Sequence, residues 1–107
     1  MKMQKLNLFI VANNALVVNG LKHFLEDRFG DGLNISNFYS SKSCLKNLKG
    51  DTQVIVMDYF LQGRSASEIL KSINNINPNT RVVMHSSGED VAAWIELYCR
   101  NEAVCAN

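Results

Sequence analysis

One proline in 107 residues, a formal net charge of only +1 and no long apolar run together exclude several kinds of protein. Scarce proline and the absence of a low-complexity stretch leave no room for a linker or an extended tail, so the chain reads as one compact domain over residues 1–107. Lysines and arginines are interspersed with acids, which excludes both a nucleic-acid patch and a membrane-surface helix. The apolar segment Leu6 to Val11 is far too short to span a bilayer and lacks a signal-cleavage pattern. A cytoplasmic protein, neither exported nor anchored, is expected. Cys44, Cys99 and Cys105 are an odd number without the close paired spacing of a zinc knuckle or a redox dithiol, and they read as free thiols in a reducing compartment.

What the chain does have is concentrated in Thr52-Gln53-Val54-Ile55-Val56-Met57-Asp58-Tyr59. An unbroken β-prone apolar run describes a strand covered on both faces, and it ends in a single carboxylate at its C-terminal tip. Around it, apolar runs alternate with amphipathic stretches. Leu6 to Ala12 reads as a first strand, ended by Asn13-Asn14. Ala15 to Phe29 reads as a helix, with Leu16 or Val17, Leu21, Phe24 and Leu25 at helical spacing and Gly30-Asp31-Gly32 as its stop. The alternation of Leu33, Ile35, Asn37 and Tyr39 with Asn34, Ser36 and Phe38 suggests a more polar second strand near a sheet edge. Ser40 to Leu48 is a short helix. Ser65-Ala66-Ser67-Glu68 has the capping-box pattern ahead of a helix carrying Ile69, Leu70 and Ile73, which ends before Pro78. Arg81 to His85 is a fourth strand, Glu89 to Arg100 a fourth helix with Val91, Ala92, Ile95 and Tyr98 or Cys99 inward, and Ala103 to Ala106 the start of a fifth strand.

Strands alternating with helices at short intervals imply an α/β fold, a flavodoxin-like doubly wound parallel sheet of order 2-1-3-4-5. Its winding direction reverses between strands one and three, so a crevice opens where their C-terminal ends meet. Asn13, Asn14 and Asp58 converge there, with Ser86 beside them. For Asp58 the plainer alternative is a turn-forming carboxylate, and for Asn13 and Asn14 it is an Asx turn with a helix cap. Ser86 and Ser87 are both candidate caps. His85 reads as a core histidine, His23 as solvated, and Trp94 with Tyr98, four apart on a helix, as a packing pair or an exposed partner surface.

The segment Asp58-Tyr59-Phe60-Leu61-Gln62-Gly63-Arg64-Ser65-Ala66-Ser67-Glu68-Ile69-Leu70, with Asn13-Asn14 before it and Ser86 after it, resembles the receiver domains of two-component response regulators over nearly the whole chain. Its Leu, Gly and Ser pattern is closest to the subfamily that continues into a C-terminal helix-turn-helix. The resemblance implies a CheY-like fold, truncated before the last helix. It implies Asp58 as phosphoacceptor, Ser86 as the hydroxyl that binds a phosphoryl oxygen, and a Mg²⁺ site built from Asn13, Asn14, Asp58 and the backbone carbonyl of Phe60. As partners it implies a histidine kinase or phosphotransfer protein, a DNA-binding output domain outside this chain and a homodimer, with no direct nucleic-acid or membrane contact. Beyond self-phosphorylation and autodephosphorylation it implies no enzyme.

Departures from the family pattern matter as much. Its acidic pair is replaced by Asn13-Asn14, whose amide oxygens can coordinate Mg²⁺ but add no charge, so a weakened metal site is expected. The usual proline four residues after the acceptor is Gln62, and the lysine that ends strand five is not evident. A pseudo-receiver that binds partners without phosphorylation is therefore the alternative function. A flavin carrier is disfavoured, because Asn13-Asn14-Ala15-Leu16 lacks a Gly/Ser/Thr-rich phosphate loop.

Overall fold

The structure is a computed structural model that describes residues 5–58, 66–85 and 88–102. Its elements alternate as read: β1 (Leu6–Val11), α1 (Ala15–Phe29), a 3-10 turn (Gly30–Gly32), β2 (Leu33–Phe38), α2 (Ser41–Asn47), β3 (Val54–Asp58), α3 (Ala66–Ile76), β4 (Arg81–His85) and α4 (Gly88–Glu102). All described strand pairs are parallel, in the order β2-β1-β3-β4. The proposed fifth strand at Ala103 to Ala106 and the capping Ser65 lie outside the described residues.

Burial explains the strand sequences. Val54 to Met57 of β3 are fully covered, as their unbroken apolar run requires of a central strand. In β2, by contrast, Leu33 is buried while Asn34 and Ser36 face solvent, the alternation of an edge. Two apolar layers sandwich the sheet. On one face Leu8, Ile10, Val54 and Val56 meet Val18, Leu21 and Leu25 of α1 together with Val91, Ala92 and Ile95 of α4. On the other, Phe9, Val11, Ile55 and Met57 meet Cys44 of α2 and Ile69 and Ile73 of α3. Phe9 and Phe38 add a tilted aromatic pair, centroids 4.7 Å apart, within that second layer.

The buried stripe of α1 runs through Val18, Leu21, Leu25 and Phe29. Of the alternatives Leu16 and Val17, Val17 packs against the core while Leu16 is 83% exposed, and Phe24, expected inward, is 37% exposed. The reason is helical rotation, since residues advance about 100° each and Leu16 therefore sits on the far side from Val18. Phe24 lies on the flank, where its ring covers Gly88 so closely that a Cβ there would come within 3.3 Å of it. Gly30 ends α1 at φ +57°, a left-handed conformation in which glycine carries no steric penalty.

At the N-terminal end of the sheet the buried Asn77 amide donates to the carbonyls of Lys49, Gly50 and Thr52, while Thr80 Oγ1 donates to Thr52 O at 2.8 Å. One side chain thereby ties the loop after α3 to the loop before β3.

The cysteine expectation needs correction. Cys44 is a buried free thiol as read, but Cys99 is disulfide-bonded; the chain's remaining cysteine, Cys105, lies outside the described residues. Burial pushes the Cys44 thiol up to about 12. No helix among the described residues is long and apolar enough to cross a membrane.

Candidate functional site

Asp58 is the last residue of β3, half-buried, directly beyond four fully covered residues and opposite His85 in the β3–β4 register. On the other side Val11 of β1 pairs with Met57. Two residues beyond Val11 lies Asn13, exposed at a bend, so β1 and β3 deliver Asn13 and Asp58 to the same rim of the sheet. The order β2-β1-β3-β4 makes this the place where the winding reverses. Chain leaving β1 passes to one face through α1; chain leaving β3 passes to the other through α3. A crevice between them follows from that divergence.

Asn14 has a defined local role. In an extended conformation (φ −118°, ψ 118°) it N-caps α1, its Oδ1 accepting the Leu16 N–H at 2.8 Å while its backbone carbonyl accepts the Val18 N–H. The first turn of α1 carries no acid, so the partial positive charge of the helix N-terminus is unopposed by its own residues at the rim where Asp58 stands. An anion held beside Asp58 would meet a favourable field from this end of α1.

The fit of these residues to Mg²⁺ is partial. Asp58 offers a carboxylate and Asn13 an amide group at the same rim, and Mg²⁺ commonly takes only one or two protein carboxylates while keeping waters and phosphate oxygens. Asn14 Oδ1 already accepts the Leu16 N–H of the cap. No cluster of three or more His, Cys, Asp or Glu suited to a metal occurs among the described residues. Phe60 and Ser86, expected to add a backbone carbonyl and a hydroxyl, lie outside them. Elsewhere a polar cleft of about 170 Å³, lined by Asn7, Asn34, Asn47, Lys49 and Asp51, opens toward the N-terminal ends of the strands, away from Asp58.

No family model and no curated protein matches the chain. Solved structures do. A CheY-like response regulator receiver domain protein from Methanospirillum hungatei is similar at TM-score 0.72 and 12% identity, over 94% of this chain and 98% of that one. A receiver domain protein from Clostridium thermocellum gives 0.70 and 13%, over 92% and 97%. The fold is that of a response regulator receiver domain. RcsB, a response regulator of Salmonella typhimurium, matches this receiver fold at TM-score 0.67 and 23% identity over 77% of the chain, but the match spans only 42% of RcsB.

Within this fold, the sequence located β3 and its terminal carboxylate, and the structure brings Asn13 and Asp58 to one rim. Of the two readings of Asn14, ligand and cap, the hydrogen bond from the Leu16 N–H bears out the cap. The contribution of the α1 terminus was missed, although the missing acids after Asn14 were a visible signal.

Proposed function

We propose that this chain is a receiver-like signalling domain in a two-component phosphorelay, accepting a phosphoryl group at Asp58 and switching an output domain or partner. In that reaction the phosphorus–nitrogen bond of a phosphohistidine breaks and an Asp58 carboxylate oxygen forms the new phosphorus–oxygen bond. The imidazole leaves with the electron pair. Such transfers depend mainly on positioning and charge stabilisation rather than on covalent assistance from the protein. The observation that carries the reading is the position of Asp58: one carboxylate at the C-terminal tip of a buried central strand, at the winding reversal of a receiver fold.

A bound Mg²⁺ would supply positive charge between the two anions. The chain's own residues would orient the carboxylate through the rigid β3 and present the N-terminal end of α1 to the phosphoryl oxygens. A histidine kinase or phosphotransfer protein would be the donor. A DNA-binding output domain, of the kind suggested by RcsB with its DNA interaction, would lie outside this chain. The seryl hydroxyl of Ser86 and the carbonyl of Phe60 complete the proposed set.

A second reading rests on one specific observation: Asn14 Oδ1 is used by the cap, and neither position after β1 carries a carboxylate. On that reading the domain is a pseudo-receiver that binds partners without phosphorylation. Intact mass after incubation with acetyl phosphate separates the two. A Mg²⁺-dependent phosphoryl adduct, lost in Asp58→Asn, supports the acceptor; no adduct on the folded wild-type chain supports the pseudo-receiver.

A further inference from the structure

We infer that the outer edge of β4 is a self-association edge, which pairs antiparallel with β4 of a second copy of this chain. The inference is independent of whether Asp58 accepts a phosphoryl group, and it begins with the face that α4 occupies. α1 carries the chain from β1 outward to β2; α2 and α3 carry it in the opposite direction, from β2 to β3 and from β3 to β4. Right-handed crossovers must therefore put α1 on one face and α2 with α3 on the other, as the two apolar layers show. A helix linking β4 to a parallel strand beyond it would continue in the direction of α2 and α3 and belong on their face. α4 lies on the α1 face instead, with Val91, Ala92 and Ile95 in the α1 layer. A parallel strand reached through α4 and added outside β4 would make a left-handed crossover, an arrangement found in only about 2% of such units. The direct continuation of this chain is thus poorly suited to cover that edge, and among the described residues no strand lies beyond β4.

The two edges of the sheet differ in how they meet solvent. β2 presents Asn34, Ser36 and Asn37, and the Asn34 and Asn37 amides are occupied by Asn7 and Tyr39. Such polar side chains keep this edge from being a hydrophobic one. β4 has no such device in its middle: Val82, Val83 and Met84 are consecutive, apolar and each only partly buried. Their backbone phase is fixed, because the Arg81 N–H donates to Gln53 O at 2.9 Å and Arg81 is in register with Val54. Arg81, Val83 and His85 therefore direct their backbone groups to β3, while Val82 and Met84 direct theirs to the open side.

That phase selects a two-fold register. With Val83 facing the partner's Val83, Val82 and the partner's Met84 form a hydrogen-bonded pair, and the symmetry repeats it, giving four backbone hydrogen bonds from the four outward N–H groups. The charges agree with it. Antiparallel pairing places the two Arg81 residues at opposite ends of the ladder, whereas in-register parallel pairing would set Arg81 against the partner's Arg81. An isologous edge of this kind closes as a dimer that joins the four described strands of each copy into one sheet and does not propagate.

The test is sedimentation velocity of the full chain across a concentration series, with Met84→Pro as the variant, since proline there removes an outward N–H and no bond to β3. A concentration-dependent species of twice the chain mass is expected, with the dissociation constant of Met84→Pro raised roughly tenfold or more because each dimer loses two hydrogen bonds. A wild-type chain that stays monomeric, or a folded Met84→Pro that dimerises as well as wild type, overturns the inference. Amide hydrogen exchange on the wild-type chain decides independently if the variant fails to fold. Val82 and Met84 N–H groups protected at high concentration and released on dilution support the edge. Protection that persists in the monomer means the chain covers its own edge, and exposure at every concentration means that nothing does; either overturns it.

Discussion

The Arg28 guanidinium of α1 reaches the Glu96 carboxylate of α4 at 2.7 Å, joining residues 68 apart in sequence across the face that the two helices share. The pair marks where α4 sits, beside α1, and it lies over a layer in which Ile95 is fully buried.

Both partners of that pair are substantially exposed, 51% and 39%, so its contribution to stability is small. A double-mutant cycle with Arg28→Ala and Glu96→Ala should give a coupling below about 1 kcal/mol, falling as salt is raised. A coupling of several kcal/mol, or one insensitive to salt, would contradict this account.

Replacing the cap is expected to cost more. Asn14→Ala leaves the Leu16 N–H without its acceptor and should lower stability by about 1 kcal/mol in denaturant unfolding. Asn14→Asp keeps the acceptor and adds a negative charge at a helix N-terminus, where it is favourable by roughly 0.3–1 kcal/mol. The same substitution places a second carboxylate at the Asp58 rim, so Mg²⁺ affinity by titration calorimetry should rise in Asn14→Asp relative to wild type.

Ile55 sits at the middle of β3 with no solvent exposure, in the layer beneath α3. Ile55→Ala should destabilise by about 2–5 kcal/mol through lost burial and a residual cavity, a loss that a small domain registers as a markedly lower melting temperature. The exposed Leu16→Ala should change stability by less than about 0.5 kcal/mol.

The cysteines should separate by chemistry. With its thiol pushed up to about 12 by burial, Cys44 should resist iodoacetamide at pH 8 in the native protein and react once denatured. Cys99 should stay unlabelled in denaturant until reductant is added. Because the folded Cys44 value lies above the unfolded one, its contribution to stability is complete below pH 9.0 and is lost as pH rises from there toward about 12. Cys44→Ala should flatten that alkaline decline in a pH series of unfolding midpoints.

Much of the framework was legible because β3 and the helices obey strong local rules. Val54 to Asp58 has no polar interruption, and Ile69 with Ile73 or Val91 with Ile95 are spaced as helices demand, so their burial follows from period alone. Sheet order followed from the alternation of elements and the handedness of crossovers. Local period does not specify rotation about a helix axis at its first turn, which is why Leu16 was eligible for the core and lies outside it. Nor does it specify which face of a sheet a helix joins when no described strand follows, as for α4. At the site, Asp58 was legible as a chain of apolar residues ending in a charge. The cap at Asn14 was legible as one of two readings, since an amide oxygen can serve a metal or a backbone N–H, and the Leu16 N–H bears out the second.

The Asn77 clamp makes the two ends of the sheet mechanically unequal. Its three carbonyl partners, joined by Thr80 on Thr52, lock β3 and β4 together where the strands begin, so neither can slide along the other. Asp58 stands at the opposite end of β3 from this clamp. α4, which begins at Gly88, three residues past His85, is therefore joined to the end of the sheet that this clamp does not hold.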